Sequence, residues 1–392
     1  MPTNPQSIWT PAFALLCIAQ FLGYAQNSIL QPTFPLYVIQ LGGSPFMVGL
    51  VLSSFAVTSI ILRPVIGHWA DRWNEAGVMI AGLLFMAASL LFCFFPLIET
   101  AIVANGLRGI GWGGLNAAGY TLLASSAPEA RRGEASGYYS GVQGSATILF
   151  PAVALWLIYA PFGGFRFVFG VAVALAVLGA IAGLVMTRHI PRLARHRQLD
   201  DSTPWWRELF NFIDRDVLPP AVMLFFLNLS LPAVSSFIVL YADEIAIENF
   251  GWFFVVTGTT NLLARPLLGR ASDKIGRGRS MAAGFIVQIA ALVLLIIVSN
   301  LFGMIISGIL YMLGNAIGSS TSLALALERA NPQRRGKAMA TFSVAYPLSY
   351  GIGSLLTGGA VEILGYVGMF AFVAGLAASG LLLALLNAAK LR

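Results

Sequence analysis

The stretch "LRPVIGHWADRW" at residues 62–73 returns as "ARPLLGRASDKIGRGRS" at residues 264–280. Arg63-Pro64, Gly67 and Asp71-Arg72 of the first become Arg265-Pro266, Gly269 and Asp273-Lys274 of the second, a shift of 202 residues. A second landmark, Arg131-Arg132-Gly133-Glu134-Ala135, returns as Arg334-Arg335-Gly336-Lys337-Ala338, a shift of 203. Two unrelated blocks displaced by nearly the same distance identify one structural unit present twice. Repeats of this size in a very apolar chain point to two halves that rock about a shared central site.

The composition places both units in a bilayer. Hydrophobic residues make up 58% of the chain and charged residues 10%, against about a quarter charged in soluble domains. Twelve apolar runs have the roughly 17–25 residues a membrane helix needs. They cover 11–39, 46–66, 78–97, 101–125, 136–159 and 166–187, then 219–241, 250–268, 281–299, 301–327, 338–361 and 367–389. The first is long enough to expect a tilt, or a bend at Pro32 and Pro35. The charged stripes of a large soluble helical protein are missing. The expected fold class is an all-α integral membrane protein, with twelve transmembrane helices in two six-helix bundles related by pseudo-two-fold symmetry. Residues 1–188 form the first bundle, 189–218 a linker and 219–392 the second bundle. In the linker, Trp205, Trp206, Leu209, Phe210 and Ile213 share one face of a short helix expected to lie on the membrane surface.

Basic residues set the orientation. Nineteen of the 23 Lys and Arg fall in the alternate set of segments that includes both termini, and the other four, Arg63, Arg108, Arg166 and Arg265, lie within spans or at their ends. Both termini are therefore expected in the cytoplasm, and the net charge of +7 reflects topology rather than a nucleic-acid footprint. The sequence "MPTNPQSIW" lacks a basic leader region, so the first span is expected to be retained. Cys17 and Cys93 fall inside apolar spans, and no spacing suggests a disulfide, a metal or a cofactor. No P-loop and no His-, Asp- or Ser-based catalytic constellation is present, so an enzyme or an ATP-driven pump is not expected.

These features resemble the major facilitator superfamily over essentially the whole chain: six spans, a basic linker, six spans. The most specific element is the loop between the second and third spans of each half, where the family carries G-x-x-x-D-R/K-x-G-R-R/K-x-R/K. Gly269, Asp273, Lys274, Gly276, Arg277 and Arg279 fit it, whereas the first-half copy keeps Gly67, Asp71 and Arg72 but has Asn74, Glu75 and Gly77 where glycine and basic residues are expected. Both copies begin with Arg-Pro, as in bacterial drug-efflux-like and sugar-efflux-like members. The resemblance implies a gating role for Gly67, Asp71, Arg72, Gly269, Asp273, Lys274 and Arg277, alternating access, and a place in the bacterial inner membrane.

Arg108 lies within the fourth span in "NGLRGIGWGGLNAAGY", with no carboxylate within a helical turn or two. An Arg at mid-bilayer costs about 2.5–3.5 kcal/mol on insertion scales, so such a charge is a functional candidate by default. Its counterpart in the second half is Tyr311. Two roles are open: tuning a carboxylate for proton coupling, as the resemblance implies, or binding an anionic group of the substrate. All sixteen acids lie in loops, the linker or span ends, so a proton carrier is expected among terminal groups such as Asp71 or Glu134, or on the substrate itself. The family's antiporter signature in the fifth span is poorly matched, with Gly137, Gly141 and Gly144 but no proline nearer than Pro151.

Polar residues inside apolar spans outline the expected cavity: Tyr24, Asn27, Gln31, Trp112, Asn116, Gln143, Asn228, Asn261, Tyr311 and Asn315. Amides in hydrocarbon must face protein or water, and some must serve only to join helices. Amides, aromatics and one cation suit a small amphipathic or weakly anionic molecule. The expected activity is proton-driven export of such a molecule by a chain that works as a monomer. The alternatives are uptake of a sugar or organic anion by proton symport, and a membrane sensor that transports nothing.

Overall fold

The computed structural model describes residues 8–62, 65–66, 74–126, 131–189, 214–331 and 335–386. Twelve helices run through them: α1 (Pro11–Gln40), α2 (Pro45–Ile61), α3 (Glu75–Phe94), α4 (Ile98–Ser126), α5 (Arg132–Tyr159), α6 (Phe165–Met186), α7 (Arg215–Glu244), α8 (Gly251–Ile275), α9 (Arg277–Ile297) and α10 (Leu301–Arg329). The run Arg335–Leu386 supplies α11 and α12, separated where Gly365 takes φ +70°. Many large apolar side chains point outward along these helices, including Ile363, Ile297, Phe302 and Leu267. Such a surface is stable only against lipid. The chain is a multi-pass membrane protein.

Local signals set the helix ends. Thr10 caps α1 by accepting from the Phe13 N–H at 3.2 Å, and Asn300 caps α10 by accepting from Gly303 at 2.8 Å. Proline opens α1 and α2, where its missing N–H costs nothing. α1 continues as one helix through Pro32 and Pro35. α7 differs from the uniform span expected at 219–241: it breaks near Ser230, makes a π turn over Ala233–Phe237 and resumes at Ile238. Pro232 accounts for this, because its ring and missing N–H prevent regular i→i−4 bonding there.

The repeat is visible in three dimensions. α3 and α4 touch through Gly82 and Gly111: a Cβ on Gly82 would stand 2.6 Å from the Gly111 carbonyl oxygen. The same contact recurs between α9 and α10, where a Cβ on Gly314 would stand 2.7 Å from the Gly284 oxygen. Both pairs let backbones approach as small residues do in membranes. Counted from the sequence shift, Gly82 and Gly284 are equivalent, as are Gly111 and Gly314.

Two seams join the bundles. α2 packs on α11 through Gly49, Ser53 and Ala56 against Gly351, Ser354 and Gly358, with the Ser53 hydroxyl donating to the Gly351 oxygen at 2.6 Å. α5 packs on α8 through Gly144, Ile148 and Ala152 against Leu262, Gly258 and Gly251. Each seam reaches the face opposite the chain termini, called here the far face. There Glu362 accepts from the Ser44 hydroxyl at 2.7 Å and the Phe46 N–H at 3.2 Å, and the Tyr159 hydroxyl donates to Asp243 at 2.8 Å. The bundles are thus closed against each other at the far face.

Candidate functional site

Arg108 sits about a third of the way down α4, 6% exposed. Its guanidinium carbon lies 5.3 Å from the Phe34 ring of α1 and 4.8 Å from the Phe55 ring of α2, a cation–π sandwich. Its Nε and Nη1 are buried with no hydrogen-bond partner. Rings stabilise part of the charge but provide no acceptor, so two donor nitrogens are left without a partner. The equivalent residue, Tyr311, contrasts with it: fully buried in α10, its hydroxyl pairs with Ser230 of α7 at 2.9 Å. One half has a satisfied position where the other has an unsatisfied cation.

One and two helical turns further along α4, Trp112 and Asn116 join the same wall. Their partner is Tyr24 of α1, whose hydroxyl donates to Asn116 Oδ1 at 2.7 Å and whose ring lies 4.6 Å from Trp112. The Asn116 amide then donates to the Trp112 carbonyl at 2.9 Å. Asn27 and Gln31 follow Tyr24 on one face of α1, and Tyr24, Asn27, Gln31, Trp112 and Asn116 are all half-buried. Tyr24, Trp112 and Asn116 come together with Phe55, 6.3 Å from Trp112, into one aromatic and amide surface of the first bundle.

The remaining polar candidates are engaged within their bundles. Gln143 of α5 donates to Gln20 Oε1 at 3.1 Å, and Gln20 donates to the Leu115 oxygen at 3.1 Å, tying α5, α1 and α4 together. Asn315 donates to Asn228 Oδ1 at 3.1 Å, and Asn228 donates to the Leu224 oxygen at 2.9 Å. Both Asn228 and Asn315 are buried, while Asn261 of α8 is half-buried. Sequence reading passed over Gln20, Gln26 and Gln288. Gln288 ties α9 to α7 by donating to the Leu227 oxygen at 2.9 Å. Gln26 is fully buried with neither amide atom bonded. The signal that selected Asn27, an amide in an apolar span, selects Gln26 equally.

Of the loop motif, Gly67, Asp71 and Arg72 lie outside the described residues. The second copy is helical: α8 runs through Gly269, Asp273 and Lys274 to Ile275, and α9 starts at Arg277. The joint is Gly276 alone, at φ +93°, a conformation that disfavours any side chain. In the first half the equivalent Asn74 stays at φ −165° and caps α3, its side chain accepting from Ala76 at 3.1 Å. The departure from the motif thus replaces one way of starting a helix with another. Arg277 pairs with Glu328 of α10 at 2.7 Å, a link the first half cannot copy because Glu75 stands at the equivalent position. Among the described residues no His, Cys, Asp or Glu cluster has metal-ligand geometry. A cavity of ≈ 920 Å³ opens at the far face between α5, α7 and α8, lined in part by Trp156, Tyr159, Asp243 and Trp252. None of the Arg108 wall residues lines it.

Comparison with known proteins places this architecture. An uncharacterised MFS-type transporter of Methanocaldococcus jannaschii is 22% identical over 94% of this chain and 93% of its own length. The multi-drug resistance efflux pump PmrA of Streptococcus pneumoniae is 25% identical over 69% of each chain. The crystal structure of the nucleoside transporter NupG superposes with a TM-score of 0.75 at 16% identity, covering 97% of this chain and all of that one, which bears on the fold alone. The sequence profile of the Major Facilitator Superfamily matches residues 16–248 and 220–390, so this chain, a transporter resembling the drug-efflux types, belongs to the Major Facilitator Superfamily.

Proposed function

We propose that the chain is a secondary active exporter of a small amphipathic or weakly anionic molecule, driven by the proton gradient across a bacterial inner membrane. The observation that carries this reading is Arg108, a buried guanidinium with two unbonded donors. A protein keeps such a group against an insertion cost of about 2.5–3.5 kcal/mol only for what it binds or senses. A substrate carboxylate or phenolate reaching it from the half-buried wall of Tyr24, Asn27, Gln31, Trp112 and Asn116 would satisfy the donors, while the aromatic rings cover the apolar part. Gln143, Asn228, Asn261, Tyr311 and Asn315 then hold or complete the cavity from behind.

Alternating access follows from the two bundles, taken as residues 1–188 and 219–392 joined by the linker 189–218, rocking about this site. The terminal face is cytoplasmic in this reading, because the basic residues concentrate there. Gly67, Asp71, Arg72, Gly269, Asp273, Lys274 and Arg277 would form the gate on that side. One chain supplies the whole pathway, which supports a working monomer, and the likeness to PmrA supports export.

The test is a growth-inhibition panel in an efflux-deficient bacterial host, comparing the wild type, Arg108→Ala and an empty vector at matched membrane levels. The expected result is protection by the wild type that disappears in the variant. Protection retained by Arg108→Ala would leave export standing and remove the central site. Absence of protection against any compound would count against export.

A further inference from the structure

On the far face two carboxylates accept hydrogen bonds that bridge the bundles. Glu362, near the end of α11, accepts from the Ser44 hydroxyl and the Phe46 N–H at the α1–α2 corner. Ser44 is the N-cap of α2 but makes no cap bond with its own side chain. A carboxylate from the opposite bundle therefore does the capping, where negative charge is favoured by the free N–H groups. At the other seam, the Tyr159 hydroxyl at the end of α5 donates to Asp243 at the end of α7.

The two bridges occupy equivalent places. The 203-residue shift that superimposes the Arg-Arg-Gly blocks carries Tyr159 onto Glu362. In both seams the residue at this position reaches across to a corner between the first two helices of the other bundle. The donors, Ser44, Phe46 and Tyr159, all belong to the first bundle, and both acceptor carboxylates belong to the second. Glu362 and Asp243 are also exposed to water on the far face while bonded, so a proton can reach either without prior opening.

We propose that Glu362 and Asp243 are the proton-accepting latches of the far gate, ionised and bonded across the seams when it is closed and protonated when it opens. This rests on the proton-driven reading above, and supplies the terminal carboxylates that an apolar span interior lacks. A carboxylate accepts hydrogen bonds more strongly ionised than neutral. Acid on the far side weakens both bridges together and favours separation of the bundles.

Among the described residues, Glu362 and Asp243 are the carboxylates bonded across these seams. α2 carries no titratable side chain, α11 beyond Tyr350 carries only Glu362, and α12 carries only Tyr366. Around Asp243 stand Glu244 and Glu248 on its own corner, Tyr159 from α5 and Tyr366 from α12, while the facing half of α8 offers none. Arg166, at the start of α6 beside Tyr37, is a cation on this face.

The experiment uses the full chain in lipid nanodiscs with Cys17 and Cys93 replaced by serine. Spin labels go on Leu97→Cys and Phe302→Cys, both exposed and on opposite bundles at the far face, and double electron–electron resonance reads their separation. Lowering the pH from about 7.5 to about 3, across the carboxylate range, is expected to enrich the wider separation. Combining Glu362→Gln with Asp243→Asn should enrich it about fivefold already at neutral pH, two exposed bridges being weakened at once, and remove the remaining response to acid. Ser44→Ala with Tyr159→Phe, which deletes the donors instead, should widen the neutral-pH distribution in the same direction. A separation that ignores pH in the wild type, or an acid response that survives in the carboxylate pair, overturns the proposal. The readout needs no substrate. A latch that fails while the growth panel shows protection therefore refutes the latch alone, and an acid-opened gate in a chain that protects against nothing refutes the export reading alone.

Discussion

Replacing Arg108 with methionine is expected to make the protein more stable and inactive. The guanidinium costs about 2.5–3.5 kcal/mol to hold within the bilayer. The faces of Phe34 and Phe55, at 5.3 and 4.8 Å, return about 0.5–1 kcal/mol each. With Nε and Nη1 unbonded, no hydrogen bond offsets the rest. The difference leaves the native charge a net burden of about 0.5–2.5 kcal/mol. Methionine has similar reach, is apolar and packs well against rings, so it should recover most of that difference and raise the apparent unfolding temperature by about one or two degrees in a chain of this size. Unfolding can be followed with a thiol-reactive dye. Cys17 and Cys93 are both buried, and Cys17 alone should report, with Cys93 replaced because it lies close to Arg108. Export of any compound found in the growth panel should be lost. A fall of several degrees would show that Arg108 carries a structural bond, and undiminished export would show that its charge serves no transport step; either result refutes the reasoning.

Other positions give sharper structural tests. A side chain on Gly358 would meet the Pro45 oxygen at 2.5 Å and Phe46 Cα at 3.1 Å, backbone that cannot step aside; Gly358→Val should cost the closed far face about 1–3 kcal/mol and widen the far-face spin-label separation. Gln20→Leu should destabilise the first bundle by about 1–3 kcal/mol, because the buried Gln143 amide loses its acceptor, and thermal unfolding of the variant measures it. Gly276→Ala forces a side chain into φ +93° and should lower stability by about 1–2 kcal/mol, whereas Asn74→Gly, which removes a cap by substituting glycine, should cost only a few tenths of a kcal/mol. Equal effects at these two equivalent positions would refute the idea that the halves start their third helices differently.

Much of this architecture is legible in the sequence because bilayer thickness permits few solutions. Runs of about twenty apolar residues become helices whatever their detail, and each of the twelve expected spans falls on one of α1 to α12, although α8 runs on to Ile275, past the expected end at 268. The local irregularities are harder. The π turn of α7 needs Pro232, but Pro32, Pro35, Pro151 and Pro347 lie inside helices without one. A proline marks where a ladder bond is lost, and the neighbours decide how the backbone responds. At the site, sequence identifies polar residues in apolar spans and leaves their direction open. Asn27 and Gln26 are consecutive and chemically alike, yet the helix turns one partly outward and buries the other completely. Likewise, Asn315 and Asn116 satisfy one rule from sequence, but Asn315 finds its partner in Asn228 while Asn116 joins the half-buried wall with Tyr24.

The pairs of equivalent positions show what duplication has held and what it has released. Gly82 and Gly284 remain glycine because a helix backbone occupies the space of a side chain in both bundles. Where the requirement is only a helix start, Asn74 and Gly276 meet it by different chemistry. Where the requirement is a reach across the seam, Tyr159 donates and Glu362 accepts, so the sign of the interaction has reversed while its place has not. Arg108 and Tyr311 differ most: one member is closed off by Ser230 and the other left with open donors. A two-fold symmetric pair of cations at the centre would repel each other and double the burial cost. On the export reading proposed above, restricting the charge to one bundle leaves a single anchor for an anionic group, facing a second bundle whose Asn228, Asn315 and Tyr311 are neutral. On that reading, the asymmetry would fix which end of an amphipathic substrate faces which bundle.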